Sequence, residues 1–123
     1  METTTNFIWK LYEEHTDIDS KDYQRVLMVI ENYQGAKAMG YDNSINFSAV
    51  FLQEFQRNLK FRFTNLIYHE MTHSWQWSGN NQAPVGFTEG IVDYTVFKAN
   101  YYLPNYAEPG TRNRWDEGYG VTA

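Results

Sequence analysis

Apolar side chains recur at helical spacing in four stretches of the chain, and as a short run or an alternation in two others. Phe7, Ile8, Leu11 and Tyr12 predict a short amphipathic helix over residues 6–14. Val26-Leu27-Met28-Val29-Ile30 is a compact apolar run with β-branched members and predicts a buried strand. Ser44-Ile45-Asn46-Phe47-Ser48 alternates polar and apolar residues, as a half-buried strand does. Gly35 and the cluster Gly40-Tyr41-Asp42-Asn43 mark turns around that strand. Helices are predicted over 49–58 and 60–77, and a third from Thr88 to Tyr102, ended by Leu103-Pro104-Asn105. The acidic stretch Glu13, Glu14, Asp17, Asp19, Asp22 reads as a solvated loop, as does Glu108–Arg114. Trp115–Ala123 is aromatic again and is expected to return to the body. A small sheet with several helices gives an α+β fold in one domain over residues 1–123.

Composition narrows the picture. At 123 residues, with 42% apolar and 18% aromatic side chains, the chain can bury a core of its own. A net charge of −5 offers no basic footprint for nucleic acid or an anionic membrane surface. There is no cysteine, so nothing about the compartment follows from disulfides. No apolar run approaches the roughly 20 residues of a membrane span. Met1-Glu2-Thr3-Thr4-Thr5-Asn6 has neither the basic region nor the apolar run of a signal peptide.

The chemistry concentrates in Tyr68-His69-Glu70-Met71-Thr72-His73, which contains H-E-x-x-H, a signature of zinc metallopeptidases. At about 100° per residue, His69 and His73 project only about 40° apart on the helix, so both imidazoles can reach one ion. Glu70 lies beside the pair, where it can act as a base on a water at the metal rather than bind the metal. Ile67, Met71 and Trp75 fall on the opposite side and form an apolar back for burial.

A catalytic Zn2+ usually takes three protein ligands and keeps one position for water. The chain has three histidines, so the third ligand is His15 or a carboxylate. His15 stands alone among acids and reads as a surface residue. The continuation H-E-x-x-H-x-x-G-x-x-H fails, because Gln76 and Gly79 occupy the Gly and third His positions. A turn-rich bridge, Ser78–Pro84, leads instead to Glu89 and Asp93, four apart and on one helix face. An antiparallel return brings that face over the histidines. Glu89 is then the expected third ligand, in the two-His-one-Glu pattern of thermolysin-type enzymes. Asp93 is expected to accept the free ring N–H of a ligating histidine. The reverse assignment, Asp93 as ligand and Glu89 as support, stays open at this point. A strand edge beside the motif helix would let a peptide lie extended across the metal. An ordinary sheet strand fits the sequence equally well.

The motifs together resemble the plant basic secretory proteins, within a wider group of zinc peptidases of plants and bacteria. The resemblance is carried by Tyr68–His73, Trp75-Gln76-Trp77-x-Gly79, Gln82-Ala83-Pro84-x-Gly86 and Glu89-Gly90-Ile91-x-Asp93-Tyr94. Upstream it extends to Phe7–Lys10 and Ile45–Ala49, and downstream to Lys98–Tyr101 and Arg114–Ala123. It implies a zincin-like fold and a secreted, defence-associated, zinc-dependent endopeptidase acting on peptide or protein substrates. It also implies a signal peptide and C-terminal helices that these 123 residues do not contain. The role it adds is for Tyr119 as a phenol donor to the oxyanion, with Tyr94 and Tyr106 as rivals and loop packing as an equal alternative. Val85 and Phe87-Thr88 depart from the small and aliphatic residues usual there. Two other readings stand beside the peptidase: a degenerate or truncated relative that keeps the zinc scaffold, and an aromatic wall- or carbohydrate-binding surface.

Overall fold

The computed structural model of the chain describes residues 2–13, 25–41, 43–55, 57–106, 108 and 114. Among these the order is helix α1 (Glu2–Leu11), strands β1 (Leu27–Glu31), β2 (Ala38–Tyr41) and β3 (Ser44–Ser48), then helices α2 (Ala49–Gln53), α3 (Leu59–Trp75) and α4 (Val85–Lys98). The sheet is mixed, in the order β1-β3-β2, with β1 parallel and β2 antiparallel to the central β3. His15 and Tyr119 lie outside the described residues.

The alternation read in β3 is the one observed. Ile45 and Phe47 are each 1% exposed and point into the core with Ile8, Leu66, Met71 and Trp75. Met71 and Trp75 are the apolar back of α3, and Phe47 meets Phe63 edge to face at 5.0 Å. Burial of one such side chain contributes roughly 1.5–3 kcal/mol, so this seam fixes which face of α3 turns outward. Ser48 ends β3 and caps α2, its Oγ accepting from the Phe51 N–H at 3.2 Å.

Several boundaries move. Helix α1 begins at Glu2, although Thr3-Thr4-Thr5 are poor helix formers, because Thr4 and Ile8 are buried one turn apart. The run at 26–30 forms β1, but at the sheet edge rather than inside it, with Leu27 and Ile30 more than half exposed. Gly40 and Tyr41, read as the start of a turn, are instead the end of strand β2, which begins at Ala38. Helix α2 stops at Gln53, and Asn58, left-handed at φ 57°, separates it from α3. Helix α4 starts three residues early, since the Pro84 carbonyl already accepts from the N–H groups of Phe87 and Thr88. It ends at Lys98, and Asn100 at φ 63° stops any continuation to Tyr102.

Helices α3 and α4 pack against each other through a second cluster of Tyr68, Val92 and Val96. Tyr101 closes it, stacked on Tyr68 at 5.3 Å, while its carbonyl accepts from Asn65 Nδ2 at 2.7 Å. No helix among the described residues is long and apolar enough to cross a membrane.

Candidate metal centre

The bridge between α3 and α4 determines what faces the two histidines. Helix α3 ends when Gln76 turns extended, its N–H still donating to the Thr72 carbonyl. Gly79, Asn80 and Asn81 then follow at φ 60°, 57° and 62°. Three successive left-handed residues reverse the chain sharply, and Gly and Asn are the residue types that accept this conformation most readily. Ser78 holds the turn: its Oγ accepts from the Asn81 N–H and its carbonyl from the Ala83 N–H, both at 3.1 Å. The chain therefore re-enters antiparallel as α4.

That return brings Glu89 between the histidines. His69 Nε2 lies 3.5 Å from Glu89 Oε2, and His73 Nε2 lies 3.4 Å from Glu89 Oε1. The rings of His69 and His73 meet edge to face at 4.9 Å. One donor atom from each of the three side chains lies within 4.8 Å of the others. Donors about 2.0–2.1 Å from a tetrahedral ion sit about 3.3–3.4 Å apart, and each histidine Nε2 lies at about that distance from one Glu89 oxygen, His69 from Oε2 and His73 from Oε1. Glu89 Oε2 is also buried without a hydrogen-bond partner, which a metal ion would supply. His69, His73 and Glu89 can thus hold a metal ion, and no group of described residues that can do so includes Asp93.

The charges suit ligation. Burial, reinforced by His73, pushes His69 down to about 4 against the pull of Glu89, so its ring is neutral near pH 7. Burial opposes the charge of Glu89, but the contacts with His73 and His69 outweigh it and hold the carboxyl below its ordinary value. A neutral imidazole and an ionised carboxylate are the forms that bind metals. Glu70 goes the other way: burial, helped by Glu89 and opposed by His73, pushes it up to about 7. A carboxyl poised there can take or give a proton near neutrality.

A cavity of about 450 Å³ opens over these groups. Residues 37–40 of β2 and the segment leading into it form one wall, α3 and Glu89 the floor, and Tyr106 another side. Strand β2 lies close to Glu70, since a Cβ added at Gly40 would sit 3.6 Å from Glu70 Oε2. The strand edge beside the motif helix is therefore β2, not β3.

Asp93, one turn past Glu89, is 2% exposed; burial, reinforced by the Asp93 charge, raises the Tyr102 hydroxyl to about 12. The ring nitrogen of His73 that faces away from Glu89 is occupied by Gln76, with Nδ1 and Gln76 Nε2 2.7 Å apart. Gln76 was noted in the sequence for breaking a longer motif. Its spacing of three from His73 was the signal that could have found it. Of the rival tyrosines, Tyr106 lines the cavity, whereas Tyr94 is on the outer side of α4, under Lys98.

A family model described as peptidase of plants and bacteria matches residues 1–123. No curated protein and no solved structure matches the chain.

Proposed function

The chain belongs to the peptidase family of plants and bacteria, and from that membership and its donor group we propose that it is a zinc-dependent metallopeptidase. The observation that carries the reading is Glu89 bridging two histidine Nε2 atoms at 3.5 and 3.4 Å, with Oε2 otherwise unpartnered. Two imidazoles and one carboxylate are a donor set for catalytic zinc, and His69, His73 and Glu89 would hold it. When bound, zinc supplies Lewis acidity: it lowers the pKa of a water and polarises the scissile carbonyl.

The chain's own residues do the rest. Glu70, raised to about 7, takes a proton from the attacking water and returns it to the leaving amine. The hydroxyl of Tyr106, on the cavity wall, donates to the developing oxyanion. Tyr119 is its rival from outside the described residues. Asp93, buried on α4, is the candidate acceptor for the free ring N–H of His69. The substrate is a peptide or protein whose main chain lies in the groove between β2 and α3. One domain of zincin type over 1–123, an extracellular setting and a defence role belong to the same reading, carried by the flanking motifs.

The test is cleavage of a denatured protein by the wild type and by Glu70→Gln, with zinc content measured in both. The proposal expects equal zinc and a loss of turnover of several orders of magnitude in the variant. Equal cleavage would remove Glu70 from its role. Full zinc without cleavage in the wild type would instead indicate a binding protein that keeps the scaffold.

A further inference from the structure

Gln76 is placed against a metal-ligand histidine in a way the peptidase chemistry above does not use. It caps the C-terminus of α3, and its extended backbone brings its side chain to the ring three residues earlier. The residue is 7% exposed. Its amide nitrogen is 2.7 Å from His73 Nδ1, and its Oε1 is buried with no hydrogen-bond partner.

An amide nitrogen can only donate, so in this arrangement Nδ1 accepts and the ring proton sits on Nε2. That nitrogen faces Glu89 Oε1 at 3.4 Å. The two contacts together describe a consistent metal-free state, with Gln76 N–H to Nδ1 and Nε2–H to Glu89. A metal requires the opposite tautomer, with the lone pair on Nε2 and the proton on Nδ1. Half a turn of the Gln76 amide exchanges its oxygen and nitrogen with little change of shape. Oε1, unpartnered in the first state, then accepts the Nδ1–H.

We infer that Gln76 is a positioning residue for His73, its side-chain amide inverting when the metal binds so that Oε1 accepts the Nδ1–H and fixes the ligating tautomer. A residue able both to donate and to accept can serve both states of the ring, and glutamine is one. Glutamate serves the metal-bound state alone, and leucine neither. The inference rests on His69, His73 and Glu89 holding a metal.

The test is zinc affinity by competition with a chelator of known affinity, using zinc ion alone and the full chain. Gln76→Leu is expected to bind zinc about 10–100-fold more weakly than wild type. Gln76→Glu is expected to bind at least as tightly as wild type, because its carboxylate accepts from Nδ1–H in either orientation. In wild type, 15N spectra of His73 are expected to show the proton on Nε2 without zinc and on Nδ1 with it. Equal zinc affinity of wild type and Gln76→Leu would overturn the inference while leaving the metal site standing. A proton that stays on Nε2 in the zinc-loaded protein would also overturn it. Should Gln76→Leu not fold, Gln76→Glu and the wild-type spectra decide. Wild type that binds no zinc overturns this inference and the metal-site reading together.

Discussion

Glu70→Gln separates the energetic situation of the proposed base from its catalytic role, because the first can be read in the metal-free protein. Glu70 is 7% exposed, and burial is the main cause that raises its carboxyl from 4.5 to about 7. At about 1.4 kcal/mol per unit, that shift represents about 3 kcal/mol of difference between folded and unfolded states. The folded value lies above the unfolded one, so the stabilisation is complete below pH 4.5 and is lost as pH rises through 7. His69 runs in the opposite direction: lowered to about 4, it costs stability as pH falls from 6.5 toward 4. In the wild type the two trends oppose each other. Glutamine keeps the shape of Glu70 and removes its titration, so the variant exposes the His69 trend alone. Urea denaturation of chelator-treated wild type and Glu70→Gln at pH 4.5, 6 and 8 measures the difference. The variant is expected to gain about 3 kcal/mol relative to wild type between pH 4.5 and 8. A stability difference that stays constant with pH would refute the claim that the fold holds this carboxyl near neutrality.

Other outcomes follow from the same geometry. His73→Ala is expected to lose the metal while remaining folded, read as zinc content against circular dichroism. Tyr106→Phe is expected to lower kcat by about 10²–10³ with KM and zinc content unchanged, the usual effect of removing one oxyanion donor. An unchanged kcat would pass the role to Tyr119. Met71, 1% exposed on the back of α3, is expected to cost about 2–5 kcal/mol as Met71→Ala, measured by urea denaturation.

What could be read from the sequence was local. H-E-x-x-H fixes two imidazoles on one helix face by periodicity alone, and Met71 and Trp75 fix the opposite face as core. Glu89 was legible because the Ser78–Pro84 bridge contains Gly and Asn where the chain must reverse, which leaves an antiparallel return as the economical path. Strand β2 was not legible. Its four residues include Gly40, and it exists as a strand through pairing with β3 and packing on α3, which no short window reveals. The apolar run of β1 was read as buried because length and β-branching cannot distinguish a central strand from an edge. Its neighbour β3 took the centre of the sheet instead. The spacing of three between Gln76 and His73 was a signal, but the contact itself depends on the extended backbone that follows Trp75, which the spacing does not reveal.

The central claim is that His69, His73 and Glu89 form one zinc site. Zinc per chain, by elemental mass spectrometry on purified and dialysed protein, tests it most directly, with Glu89→Ala alongside. The account predicts one zinc per chain in wild type and almost none in the variant. A folded wild type without zinc, or equal zinc in Glu89→Ala, would contradict it.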